Sequence, residues 1–557
     1  MKKYNLICLY LLLFGLFLMQ RTILARNTRP PRLTVVLVVD QFAHHYIDKL
    51  YPHFKYGLKY LIDHGVYFTN ANYPTGQPGT ATGHAGINTG TCADAHGFPS
   101  NTWYENGKKV ACDDDNSGNA QVLAPKGVYD YGKSAHRLMV DGLSDQCVLQ
   151  TEPRSAFTVY SISGKSRSAI ATASKLGKPL WIDCHSGRFT SSKAYFDTLP
   201  DWVQLFNSNN NLNELGSITW QRMYQKSPYA YQFFNINNYE YTRSKETMLN
   251  TPLAVPDVSH PNNPYHLFEK TPQANQYILD CSLECIRNHV SRKHRDRLLL
   301  WVCLSPLDKV AHQYGPNSME AIDMIYHLDR QLQRFIRKTL RVIGKHELLF
   351  ALTSDHGVMP IPELLHEEGL TQAQRIDRVE FVKGINDVIK EKHSLNNIVV
   401  SYKGQELVLD SVAMDKMSSE KQTALMNDIK LCVLKERGIK NIWTYDELIK
   451  LPTEANTLED HIKKQLFRGR SGSLVVQPYP YTVITHWKEG SAHKTPYNYD
   501  THVPLIIFYP GKFERRYVRQ RVTPLQLPST LAEVLNIPKP SASTCEILPE
   551  LFDPEYK

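Results

Sequence analysis

Four short runs along the chain are almost unbroken in apolar residues: Thr34–Val39, Leu298–Cys303, Leu348–Leu352 and Val503–Phe508. Runs of this length, rich in β-branched residues, predict strands buried on both faces, as in parallel sheets. Helical spacing lies between them. From Ser318 to Thr339, apolar residues fall at Ile322, Ile325, Leu328, Leu332 and Ile336, one stripe of a 3.6-residue period. Strands alternating with helices predict an α/β fold, with a mostly parallel central sheet flanked by helices. Such sheets bind ligands beyond the carboxyl ends of their strands. Three runs lead to an acid there: Asp40 directly, Asp308 after Leu-Ser-Pro-Leu, and Asp355 after Thr-Ser.

Two stretches break the pattern. From about 189 to 264 the chain is rich in Asn, Tyr, Pro and Ser, and from about 360 to 477 it holds charged helices (Thr371–Lys392, Ser418–Arg437) around a β-like piece, Asn397–Leu409. Both read as insertions that cap the active edge of one catalytic domain spanning 26–557, not as separate domains. Residues 1–25 read as a secretory signal: Lys2 and Lys3, an apolar run from Leu6 to Met19, then Ala25 before Arg26-Asn27-Thr28. The run is short against the roughly 20 residues that span a bilayer, so the expected location is periplasmic or secreted, with no membrane association beyond export.

The ten cysteines become nine without Cys8, an odd number that leaves a free thiol or an intermolecular bridge. Cys281 with Cys285, and Cys92 with Cys112, are candidate local pairs. The net charge of +9 is modest for 557 residues; it suits acidic small molecules and gives no footprint for nucleic acid. The oligomeric state is left open.

Candidate chemistry gathers at the strand ends. Asp355 and His356 are adjacent, Asp308 and His312 are one helical turn apart, Asp40 closes the first run, and His493 lies ahead of the last. Mixed imidazole and carboxylate ligands suit zinc, whereas calcium or magnesium would call for oxygen alone. Taken singly, each of these residues also reads as an ordinary cap or a solvated pair. Between the first and later runs lies Tyr73-Pro-Thr-Gly-Gln-Pro-Gly-Thr80-Ala-Thr-Gly-His84. This Gly/Thr-rich turn enters a helix and would set a hydroxyl and backbone N–H groups where anions are stabilised. Its plain alternative is a turn with Thr80 as an N-cap.

With Val38-Val-Asp40, Thr80-x-x-Gly-His84, Thr89-Gly90, His96-Gly97, Asn101-x-Trp103, Ser163-x-Lys165-x-Arg167, Asp308-x-x-x-His312, Ser354-Asp-His-Gly357 and Tyr499-Asp-x-His-Val-Pro504 in order, the chain resembles the alkaline phosphatase superfamily. Within it the resemblance is to the type I phosphodiesterase/nucleotide pyrophosphatase-like branch, and there to the secreted bacterial alkaline phosphatases with a threonine nucleophile. The resemblance implies two zinc ions per chain, one held by Asp308, His312 and His493, the other by Asp40, Asp355, His356 and the Thr80 oxygen. It also implies attack by Thr80, a phosphothreonine, and contacts from Asn101, Lys165 and Arg167 to the phosphoryl oxygens. Thr82 and Thr89 compete with Thr80, and His84 is then structural. His502 competes with His493, because Lys494 stands where the family has glycine.

Two Zn²⁺ against three carboxylates and an alkoxide balance to about zero. Lys165 and Arg167 then favour a dianionic monoester over a monoanionic diester. The expected activity is therefore zinc-dependent phosphate monoester hydrolysis that releases inorganic phosphate. Nucleotide pyrophosphatase or phosphodiesterase activity on the same site is the alternative, and a phosphoryl transferase or a zinc-stabilised binding protein is more remote. A sulfatase lacks support, since no Cys/Ser-x-Pro-x-Arg segment stands at the nucleophile.

Overall fold

The computed structural model describes residues 29–552 apart from 106, 126–128, 130, 153–155, 232–239 and 291–295. The signal segment falls outside these residues.

Nine strands form the central sheet: β1 Leu33–Val39, β2 Val66–Asn72, β3 Phe157–Ser163, β4 Lys178–Ile182, β5 Phe189–Thr190, β6 Arg297–Leu304, β7 Leu348–Thr353, β8 His502–Phe508 and β9 Arg516–Val518. Their order is β9-β2-β8-β7-β1-β6-β3-β4-β5. The block β7-β1-β6-β3-β4 is parallel throughout. The apolar runs are continuous because each strand serves two cores. In β1, Val35, Leu37 and Val39 pack with one cluster and Val36 and Val38 with the other; in β6, Leu300 and Val302 face one side, Trp301 and Cys303 the other. Burying a side chain of this size contributes about 1.5–3 kcal/mol.

Five helices matter for the site and its support: α1 Thr80–Thr89, α2 Ser166–Ala173, α3 Pro272–His289, α4 Pro306–Tyr314 and α5 Met319–Ile343. The last carries the expected stripe, with Ile322, Ile325, Leu328, Leu332 and Ile336 all buried.

Several expectations need correction. The run at 503–508 is not parallel: β8 pairs antiparallel with both β7 and β2. Apolar continuity reports burial on two faces and is blind to direction. The helix expected over Thr371–Lys392 begins only at Arg378, because Gln374–Asp377 is a strand paired with Thr482–Thr485 and Asp377 caps the helix. Asn397–Leu409 is a hairpin, Val399–Lys403 with Glu406–Leu409. All nine described cysteines are free thiols. Cys281 and Cys285 lie one turn apart on α3 and are buried as small apolar groups, and Cys92 bonds the Pro74 carbonyl at 3.5 Å.

Beyond β7, the hairpin joins Leu474–Pro478 and Ile439–Thr444 in a four-stranded sheet. Helices Arg378–His393 and Ser419–Leu434 contribute Ile385, Ile389, Leu425, Ile429 and Val433 to a core of its own.

Candidate functional site

The register of the parallel block aligns its carboxyl ends: Val39 opposes Leu304, Val38 opposes Thr353, and Cys303 opposes Ser163. The residues just past those ends therefore share one edge. Asp355 follows β7, Asp40 follows β1, Asp308 lies in the first turn of α4 after β6, and Lys165 follows β3. Because β8 is antiparallel, its amino end lies at this edge, and the loop before it delivers His493. The extended chain after β2 leads to Thr80, the first residue of α1 with Gly79 as cap.

Two trios result. The ligand atoms of Asp40, Asp355 and His356 lie within 4.8 Å of one another, as do those of Asp308, His312 and His493. The first trio is sealed, with Asp40 1% exposed and Asp355 and His356 0%. His502 joins neither; its Nε2 donates to the Thr69 carbonyl at 3.0 Å, and its ring stacks on His44.

The imidazoles share one arrangement. Nδ1 of His312 donates to Ser491 O at 2.9 Å, that of His356 to Gly357 O at 2.9 Å and that of His493 to Pro78 O at 3.1 Å. A carbonyl only accepts, so each Nδ1 carries a proton and each Nε2 faces its trio, the orientation a metal-ligating histidine requires. In the sealed trio Asp40 Oδ1, Asp355 Oδ2 and His356 Nε2 have no hydrogen-bond partner. They face one another instead, His356 Nε2 lying 3.3 Å from Asp40 Oδ1 and 3.5 Å from Asp355 Oδ2, and a divalent cation would satisfy all three. The donor set, imidazole with carboxylate, fits zinc. Among the described residues, two other trios of metal-capable side chains, Asp183–Cys184–His185 and Asp257–His260–His266, each include an exposed histidine. Its Nδ1 is engaged by Tyr129 in one and by Asp257 in the other.

Lys165, 6% exposed, bridges the trios, with Nζ 2.6 Å from Asp40 Oδ2 and 2.5 Å from Asp308 Oδ2. Burial lowers the Lys165 pKa, but Asp308 and Asp40 outweigh it, so the ammonium is held above its usual value. Burial, reinforced by Asp308 and Asp355, raises Asp40. His356 is pushed down by burial, yet Asp355 and Asp40 lift it to about 9. Left to these residues alone, the carboxylates are balanced by the proton on His356 and the Lys165 ammonium.

A cleft of about 340 Å³ opens over the edge, lined by Thr80, Asn101, Arg167, His312 and His493 among others. Thr82 and Thr89 donate their hydroxyls to Phe98 O and Ala85 O, both at 2.9 Å. His84 bonds the Thr80 carbonyl within α1. Gly83 allows α1 to press on the edge, since a Cβ there would lie 2.3 Å from Asp355 O. Asn101 Oδ1 accepts from Ala81 N–H at 2.9 Å, which leaves its amide N–H groups free to donate. Arg167 lines the cleft with an unpartnered Nε.

Sequence reasoning missed Gln41, whose Nε2 donates to Asp308 Oδ1 at 2.9 Å and whose N–H donates to Asp355 Oδ1 at 3.1 Å. Its one signal was its place beside Asp40. It also missed the outer cleft residues Arg243, Arg378 and Lys403, which lie in stretches without a motif.

Comparison with known proteins agrees with this architecture. Alkaline phosphatase PhoV of Synechococcus elongatus is 26% identical over 554 residues, covering 96% of this chain and 95% of that protein. Alkaline phosphatase PafA of Elizabethkingia meningoseptica is 26% identical over 556 residues, covering 94% of each. The crystal structure of wild-type alkaline phosphatase PafA superposes with a TM-score of 0.82 at 24% identity, covering 94% of this chain and 99% of that one, and shows the same fold. The family model for type I phosphodiesterase / nucleotide pyrophosphatase matches residues 34–503, from β1 to the start of β8. The chain belongs to that family.

Proposed function

We propose that this protein hydrolyses phosphate monoesters at a two-zinc site with Thr80 as the nucleophile. The observation that carries the reading is the shared orientation of three histidines, each turned by a backbone carbonyl so that Nε2 meets buried carboxylates beside Thr80. The alkaline phosphatase names of the relatives at 26% identity support the same class of reaction.

Asp308, His312 and His493 would hold one ion, and Asp40, Asp355 and His356 the other. When bound, the ions supply Lewis acidity, favouring the threonine alkoxide and neutralising charge on the leaving oxygen. The Thr80 oxygen attacks phosphorus in line and the ester oxygen leaves as an alcohol. Water then cleaves the phosphothreonine, regenerating Thr80 and releasing inorganic phosphate. The N-terminus of α1 favours the incoming anion through its free N–H groups. Asn101, fixed through Oδ1, donates to a non-bridging oxygen, and Arg167 offers a planar pair of donors to the others. Lys165 and Arg167 add positive charge that suits the monoester dianion.

Phosphodiester or pyrophosphate cleavage is the competing reading, favoured by the family's own description. The deciding measurement is kcat/KM for an aryl phosphate monoester against the matching diester, with and without a chelator. A monoester preference abolished by chelation is expected; a diester preference would overturn the proposal. Export to the periplasm or the medium belongs to the same reading, on the charged start and apolar run of residues 1–25.

A further inference from the structure

The floor of the cleft is spent on the phosphoryl group, but its outer wall carries positive charge that the hydrolysis of a simple ester does not use. The turn between strands Val399–Lys403 and Glu406–Leu409 brings Lys403 into the cleft. Gly404 in that turn has φ +64, and a Cβ there would lie 1.6 Å from Gln77 Oε1. The turn is therefore seated on the segment that leads to Thr80. Arg378, at the start of its helix, and Lys494, beside His493, line the same cleft. Lys494 Cε comes within 4.0 Å of where a Cβ on Gly79 would stand.

The side chains of Lys403, Arg378 and Lys494 make no hydrogen bond or ion pair with the described residues. They act on one another instead. Burial, then Lys494, Lys109 and Arg378, push Lys403 down to about 7. The acids nearest Lys494 are weak counter-charges: Asp308 lies in a candidate ligand trio, and Glu406, whose Oε2 accepts from Gly472 N–H at 2.7 Å, is pushed up to about 7 by burial. Clustered cations without a counter-charge repel one another, and a bound anion removes that cost. Asp40, Asp355 and His356 are buried beneath the cleft, and these cations line the same opening as Thr80, so a long leaving group shares the cleft with them.

We propose that Lys403 and Arg378, with Lys494 between them and the floor, form a second anion subsite. The preferred substrate is then a phosphate monoester whose leaving group carries a second anionic group, phosphate or carboxylate. The inference rests on the phosphate-ester reading of the floor.

The test uses the zinc-loaded full chain and two non-hydrolysable probes, benzylphosphonate and 4-carboxybenzylphosphonate, by titration calorimetry. The carboxylated probe should bind about tenfold tighter. The Lys403→Ala/Arg378→Ala double variant should bring that ratio to about one, and Lys403→Arg alone should keep it. Equal binding of the probes, a ratio that survives the double variant, or no binding of either probe overturns the subsite. Turnover of phenyl phosphate is measured alongside. Its absence overturns the phosphatase reading, and its presence with a ratio of one overturns the subsite alone.

Discussion

The floor and the outer wall of the cleft are built on opposite plans. The floor gathers where aligned parallel strands end, with Asp40, Lys165 and Asp355 one or two residues past them, the Asp40–Asp355–His356 trio sealed and the histidines tied to the backbone by hydrogen bonds. The wall is a small sheet with its own core, reaching the site through the tip of one hairpin and through Lys403 and Arg378, whose side chains make no hydrogen bond or ion pair with the described residues. Rigid placement suits chemistry, where a misplacement of about 1 Å costs on the order of 100-fold. Loosely partnered charge suits recognition, where substrates differ.

Four experiments would break or sharpen that contrast. Thr80→Ala should lower kcat for an aryl phosphate by on the order of 10⁴ or more, with zinc content by mass spectrometry unchanged. Full activity in that variant would remove the floor's nucleophile. Lys165→Ala with Arg167→Ala should cost on the order of 10²–10³ in kcat/KM for a monoester and far less for the matching diester; equal losses would count against the charge reading. Zinc affinity of the metal-free protein should rise with pH up to about 9, because His356 holds a proton below that value which the metal must displace. The slope expected from this group is about tenfold per unit, read by competition with a chromogenic chelator, and a flat profile between pH 6 and 8 would refute it. The smallest effect on the chemistry belongs to the wall. Leu425→Ala, in its core, should cost about 2–5 kcal/mol of stability, measured by denaturant melting. It should leave the metal content by mass spectrometry unchanged; loss of metal would show that floor and wall are not separable.

The same contrast governs what the sequence disclosed. The three acids of the floor were legible because Asp40, Asp308 and Asp355 each follow an apolar run of the kind a buried strand makes, whereas His493 precedes its run. β3 was overlooked since Tyr160, Ser161 and Ser163 interrupt its run. Those polar side chains are tolerated because they are satisfied inside, Ser161 by Thr172 of α2 at 2.7 Å. That strand carries Lys165 to the edge, so the lysine's place among the carboxylates was out of reach of pattern alone. The choice between His493 and His502 turns on tertiary contacts: the first is held by Pro78, the second by Thr69. The wall was readable only as charged helices and a β-like piece, because its cations take their meaning from a hairpin folding back onto Gln77.

The reversed direction of β8 has a consequence for how the molecule is made. Asp40 and His493 are more than 450 residues apart in sequence, and the antiparallel pairing of β8 with β7 and β2 returns the latter to the edge. A growing chain carries Asp40, Asp308, His312, Asp355 and His356 long before it carries His493. The Asp308–His312–His493 trio can be completed only after this late, sequence-distant pairing has formed, a contact of the slow-forming kind. A chain cut short before β8 would keep His493 but lack the strand whose pairing returns that loop to the edge.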